Sequence, residues 1–197
     1  MENKGWANPT PAGLVALAVA CFCFFALLCG MVEKSAMPLM GCFLIGGFVI
    51  QFVVALLDLK SGNTPGGNTF LYFSAYFMLV SGAEMFFKYY SSGLDTRIDG
   101  WAWMVLMLVV ILWTPAFFKG HGLLFLMILV LDIAVPCIVI ADLKLFAPEI
   151  SALFSQAAGW LLLLCGIMGI YLSAALMVNT VYGKEVFKTP KPFYKEK

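Results

Sequence analysis

The sequence predicts an all-α fold: a polytopic membrane protein built as a bundle of six transmembrane helices, with both termini in the cytoplasm. Three observations carry this reading. Only 12% of the 197 residues are charged and 62% are hydrophobic, against the roughly 25% charged residues of a soluble domain. Six apolar segments reach the length of about 20 residues that a spanning helix needs. Basic residues are also unevenly shared between the two ends of those segments. A β-barrel is excluded, because its strands would alternate apolar and polar residues over about 10 positions.

The first span covers 11–31. It opens on Asn8-Pro9-Thr10-Pro11, where proline's missing N–H costs nothing and its φ is already helical. Asn8 or Thr10 can cap the free amides. A polar, proline-bearing stretch precedes a run too long for a signal-peptide core, so this helix is expected to stay in the membrane. The second span covers 36–57 and contains the small residues Gly41, Gly46 and Gly47, which allow close helix approach. The third, 69–90, follows a loop in which Gly-Asn-Thr occurs twice, as Gly62-Asn63-Thr64 and Gly67-Asn68-Thr69. The fourth covers 101–118, and the fifth covers 122–143 after the turn Lys119-Gly120-His121. The sixth, 150–182, is longer than the bilayer requires and is expected to tilt or project. Residues 183–197 form a lysine- and proline-rich tail, read as a solvated cytoplasmic end.

An even number of spans puts the termini on one side. That side holds eight basic residues (Lys4, Lys60, Lys119, Lys184, Lys188, Lys191, Lys195, Lys197), and the other holds four (Lys34, Lys88, Arg97, Lys144). The positive-inside rule then makes the richer side cytoplasmic. All six cysteines lie in apolar segments. Cys21 and Cys23 point to different faces of a helix, so they read as packing residues and no metal is expected. His121 reads as a surface turn residue.

Polar groups within an apolar span need a reason. The two helix starts, at Asn8-Pro9-Thr10 and at Asn68-Thr69, fall on the same side. Together they would make a mouth of amides and uncharged side chains suited to a small anion. An ordinary capped Gly/Pro loop is the alternative. Gln51, Ser74, Tyr76, Tyr171, Ser173 and Asn179 either hydrogen-bond between helices or line a path. Asp132 in the fifth span and Glu84 in the third are candidate proton-responsive groups, because intramembrane carboxylates commonly take up protons. A structural hydrogen bond between helices is the rival reading.

These residues resemble the acetate uptake transporter family, which includes bacterial succinate–acetate permeases and fungal ammonia/acetate export proteins. The family signature Asn-Pro-Ala-Pro-Leu-Gly-Leu is similar to Asn8–Leu14, with Thr10 and Ala12 as departures. Gly46-Gly47, Gln51 and Leu56-Leu57-Asp58 resemble a second motif, and Gly67–Phe70 a third. The last span resembles a fourth through Ala158-Gly159-Trp160, Cys165-Gly166, Ile170-Tyr171-Leu172 and Asn179. The resemblance implies a six-helix protein that assembles as a homo-hexamer, with a carboxylate path through each protomer. It further implies a constriction of Phe, Tyr and Leu, which falls on Leu17 (a departure), Tyr76 and Leu131. Leu176 stands where the family carries a glutamate, and Asp132 follows the gate leucine where the family has no acid. The first Gly-Asn-Thr then reads as an inserted near-copy.

The expected function is transport of acetate or a related short mono- or dicarboxylate, succinate included, as a channel or a proton-linked permease. The expected pathway residues are Asn8, Pro9, Thr10, Gln51, Asn68, Thr69 and Asn179. The alternative is a hexameric channel for a small neutral solute such as urea, ammonia or water. No Ser/His/Asp constellation, metal-ligand cluster or phosphate loop occurs, so no enzyme activity, cofactor or nucleic-acid partner is expected. The location is the inner or plasma membrane.

Overall fold

A computed structural model describes residues 6–194. Lys4, Lys195 and Lys197, which enter the charge count above, lie outside the described residues. Among the described residues, six helices are long and apolar enough to cross a bilayer. They comprise α1 (Thr10–Leu28), α2 (Met37–Lys60), α3 (Thr64–Tyr72), α4 (Ser81–Tyr90), α5 (Arg97–Trp113), α6 (Gly122–Asp142) and α7 (Pro148–Tyr182). α3 and α4 are one span, joined through a π-helical stretch, Phe73–Val80. A 3-10 turn, Thr114–Lys119, extends α5 as far as the loop before α6. Many large apolar side chains on the outer surface, such as Leu39, Phe43, Val105 and Leu112, stay exposed. In a soluble protein such a surface would be a liability, whereas here it matches hydrocarbon.

Prolines mark the helix starts. Pro11, Pro38, Pro65 and Pro148 sit in the first turns of α1, α2, α3 and α7, where no carbonyl waits for the missing N–H. Pro115 ends the regular part of α5. Gly183, at φ 61°, takes the left-handed position that stops α7 after 35 residues. At about 1.5 Å per residue this helix is near 52 Å long, well beyond the hydrocarbon core.

The third span departs from the expectation of a start at residue 69. It begins at Thr64, with Asn63 Oδ1 accepting the Gly66 amide at 3.2 Å. Gly62-Asn63-Thr64 is thus the helix start itself. Asn68 and Thr69 lie a turn inside the helix.

The packing centre is the antiparallel pair α1 and α7. Ser173 donates to the Pro11 carbonyl (2.9 Å) at one end, and Cys29 Sγ to the Gln156 carbonyl (3.6 Å) at the other. Gly166 permits this approach: a Cβ there would lie 3.0 Å from Cys21 Cβ and from the Phe22 ring. The segment after α7 also differs from expectation. Its described part, up to Tyr194, stays largely exposed but folds back along the bundle. Asn179 Oδ1 accepts the amides of Val186 (2.8 Å) and Phe187 (2.9 Å), and its Nδ2 donates to the Phe187 carbonyl at 2.9 Å. Tyr171 donates its hydroxyl to the Lys188 carbonyl at 2.8 Å, and the Tyr194 amide reaches the Phe118 carbonyl at 3.1 Å.

Candidate functional site

The helix starts of α1 and α3 meet at one open cleft of about 810 Å³, lined by Trp6, Asn8, Pro9, Thr10, Asp58, Lys60 and Asn63 among others. Asn8 Oδ1 accepts the Thr10 amide at 3.0 Å, which holds the turn into α1. Lys60 Nζ sits 5.1 Å above the Trp6 ring, a cation–π arrangement at the rim. At the floor the carboxylate of Asp58 is almost fully buried and takes the Asn63 Nδ2 at 3.1 Å. The Asp58 carbonyl also accepts Ser61 Oγ at 2.8 Å and the Asn63 amide at 2.9 Å. One aspartate thereby ties the end of α2 to the start of α3.

Deeper in, a narrow cavity of about 30 Å³ lies between α1, α2, α3, the start of the π-helical stretch, the 3-10 turn and α6. Its wall is apolar (Leu14, Leu17, Phe70, Phe73, Phe117, Met127, Leu131) apart from Gln51 and Thr69. Gln51 is fully buried, and its Nε2 donates to the Gly13 carbonyl at 3.3 Å. Gln51 Oε1 and Thr69 Oγ1 are buried and have no hydrogen-bond partner among the described residues.

Leu17 and Leu131, which the resemblance names with Tyr76 for a constriction, both line this cavity. Tyr76 does not join them: it is 51% exposed on the outer surface, while Phe73 is 6% exposed and lines the cavity. The π-helical stretch is the reason. Its wider turn advances each residue less around the axis, so the face that holds Thr69 and Phe73 has turned away by Tyr76. Ser81 Oγ marks the same irregularity by reaching back five residues to the Tyr76 carbonyl, at 3.1 Å. Phe73 is the aromatic that sequence reasoning missed. A helix boundary set at Thr64 and a count of one turn from Thr69 would have found it.

Other expected residues are placed elsewhere. Asn68 donates to the Thr64 carbonyl at 2.9 Å and borders a separate cleft with Trp113 and Phe117. Asn179 clamps the returning tail. His121 is half-buried beneath that tail, with Nε2 3.2 Å from Thr189 Oγ1, and burial pushes its imidazole below its ordinary value. Asp132 follows a wall residue but turns toward the 3-10 turn after α5, where its Oδ2 accepts the Thr114 hydroxyl at 2.7 Å. Its Oδ1 is buried without a partner among the described residues. Glu84 is ion-paired, 3.0 Å from Lys88 Nζ, which also meets buried Asp99 at 2.6 Å. That cluster lies at the end of the bundle away from the cleft.

The model of the GPR1/FUN34/yaaH family matches residues 1–191. The chain belongs to the GPR1/FUN34/yaaH family. No curated protein sequence matches it. Among solved structures, that of the bacterial acetate channel SatP superposes with a TM-score of 0.82 at 20% identity, covering 94% of this chain and 99% of that one. The likeness establishes that this GPR1/FUN34/yaaH member shares the SatP fold. Asp58 and Asn63, which shape the cleft here, belong to motifs that the sequence reading treated as pattern and as insertion, respectively.

Proposed function

We propose that this protein carries acetate or a related short mono- or dicarboxylate, such as succinate, through a path within each protomer. The path runs from the Asn8–Asn63 cleft past Gln51 and Thr69 to the neck formed by Leu17, Phe73 and Leu131. One observation carries the reading: an apolar cavity inside the bundle holds two buried polar atoms without a hydrogen-bond partner among the described residues, in a chain of this family. The helix ends attract an anion, and the dry neck excludes hydrated ions. The family is one of transporters, and a transport role leaves no place for a catalytic centre. With the basic residues as counted, the cleft faces the cytoplasm, and the membrane is the inner or plasma membrane. The exposed apolar faces suit both lipid and the neighbours of a homo-hexamer.

The neck favours a second reading in one respect, because its apolar, uncharged wall suits a small neutral solute such as water, ammonia or urea. Labelled acetate uptake into proteoliposomes, with and without a pH gradient and with succinate as competitor, distinguishes the two. The carboxylate reading expects saturable, succinate-sensitive uptake. Urea or ammonia flux that acetate does not inhibit would favour the neutral-solute channel. Asp132 is proposed as a proton-responsive group beside the neck. Asp132→Asn should alter the pH profile of uptake, and an unchanged profile removes that role. The ion pair of Glu84 supports a structural part for it instead.

A further inference from the structure

The segment after α7 carries a basic, aromatic surface that the path does not use. Ser173 donates to the Pro11 carbonyl, so α7 is level with the start of α1 at that point. Residues 174–182 therefore project about 14 Å beyond it. The chain reverses at Gly183 and descends again: Asn179 holds Val186 and Phe187, and Tyr171 holds the Lys188 carbonyl. From Lys188 onward the tail is back at the level of the helix starts, where Thr189 Oγ1 meets His121 and the backbone of Pro190 and Lys191 covers Gly122. Phe193 then packs on Phe125 with ring centres 5.2 Å apart, and Lys119 Nζ lies 5.2 Å above the Tyr194 ring. The starts of the spans mark the edge of the hydrocarbon. This stretch thus runs along the bilayer interface, where tyrosine and lysine side chains settle.

Its charge is one-sided. Lys184, Lys188 and Lys191 are exposed, and Glu185 is the sole acid from Gly183 to Tyr194. Glu185 Oε1 accepts the Thr189 amide at 3.5 Å, and none of the three lysines is ion-paired among the described residues. Backbone and ring contacts hold the tail to α6 and α7, which leaves Lys188 and Lys191 at headgroup depth and Lys184 above them. We propose that this returning tail is a binding surface for anionic phospholipid headgroups of the leaflet that meets this end of the bundle. Lys188 and Lys191 pair with the headgroups, and Phe193 and Tyr194 seat the tail at the interface. A zwitterionic headgroup offers the same phosphate but carries its own cation, so the lysines select lipid with net negative charge. The inference is independent of what the path carries.

The test uses the full chain in phosphatidylcholine nanodiscs holding a trace of spin-labelled lipid, either phosphatidylglycerol or phosphatidylcholine. The fraction of motionally restricted label gives the preference of the protein for one lipid over the other. The wild-type chain is expected to prefer phosphatidylglycerol, and added salt to remove the preference. Lys188→Gln and Lys191→Gln should each lower it by about fivefold, the effect of one lysine at a charged surface. Lys184→Gln should change it less than about twofold, because it stands above the headgroups and is screened. Amide exchange of Val186 and Phe187, which bond to Asn179, checks that each variant keeps its tail docked. Equal association of the two lipids with the wild-type chain overturns the proposal without any variant. A preference that survives Lys188→Gln and Lys191→Gln combined, with the tail docked, overturns it as well. Displacement of the labelled lipid by soluble glycerol phosphate would mark a site for small anions and overturn the lipid surface.

Discussion

At the scale of single residues, the neck turns on which aromatic side chain faces Leu17 and Leu131. Phe73 does, and Tyr76 lies on the outer surface. Phe73→Ala is expected to admit bulkier acids, measured as uptake of longer-chain carboxylates relative to acetate. It should also cost about 3–5 kcal/mol in stability through the cavity it leaves. Tyr76→Phe should leave acetate uptake within about twofold, because an exposed hydroxyl has little to lose. A collapse of uptake in Tyr76→Phe with wild-type uptake in Phe73→Ala would reverse this assignment. Asp58 is a positioning residue by the same reasoning, since its two acceptor groups hold the end of α2 and the start of α3 together.

At the scale of elements, the returning tail is the feature with most consequence. Asn179 makes three hydrogen bonds to it. Gly122 leaves no room for a side chain, because a Cβ there would collide with the carbonyl oxygens of Pro190 and Lys191. Asn179→Ala is expected to free the tail at a cost of about 1–3 kcal/mol, read as faster tryptic cleavage after Lys184 and Lys188. His121 adds a pH dependence. Its imidazole lies below its ordinary 6.5 when the tail covers it, so the undocked state binds the proton more readily. Docking should hold fully above that value and weaken as pH falls below it. Protease sensitivity of the tail should therefore rise between neutral and mildly acidic pH, and a His121→Gln variant should lose that dependence. Sensitivity that stays flat in the wild-type chain would remove His121 from the latch.

At the scale of the whole molecule, stability at the end away from the cleft depends on Lys88. It pairs with Glu84 on its own helix and bridges α4 to α5 through the buried Asp99. Lys88→Met should cost about 3–5 kcal/mol, because Asp99 would be left as an uncompensated buried charge. Thermal unfolding in detergent measures this, and an unshifted midpoint would show that solvent reaches Asp99 freely. The exposed pair of Asp95 and Arg97, 2.7 Å apart at that end, should by contrast be dispensable.

The six spans and the concentration of polar groups near the helix starts were legible in the sequence. Hydropathy summed over about 20 residues reports burial in lipid regardless of which way a side chain points. Proline at a first turn likewise signals a helix start from local sterics alone. The resemblance names Leu17 and Leu131 together and the sequence puts Gln51 on a path, and all three line one cavity because α1, α2 and α6 are regular helices. Facing could not be counted through the third span. Its start depended on which Gly-Asn-Thr capped it, and the π-helical stretch changed the rotation per residue, so Phe73 replaced Tyr76 only in three dimensions. The tail was equally hidden, because a short polar segment with few apolar residues looks solvated until Asn179, Tyr171 and His121 are brought beneath it. Composition and periodicity thus determined what enters the membrane. The tertiary structure alone decided which atoms meet at the neck, since unpaired buried groups such as Gln51 Oε1 and Thr69 Oγ1 are defined by their neighbours and not by their own place in the chain.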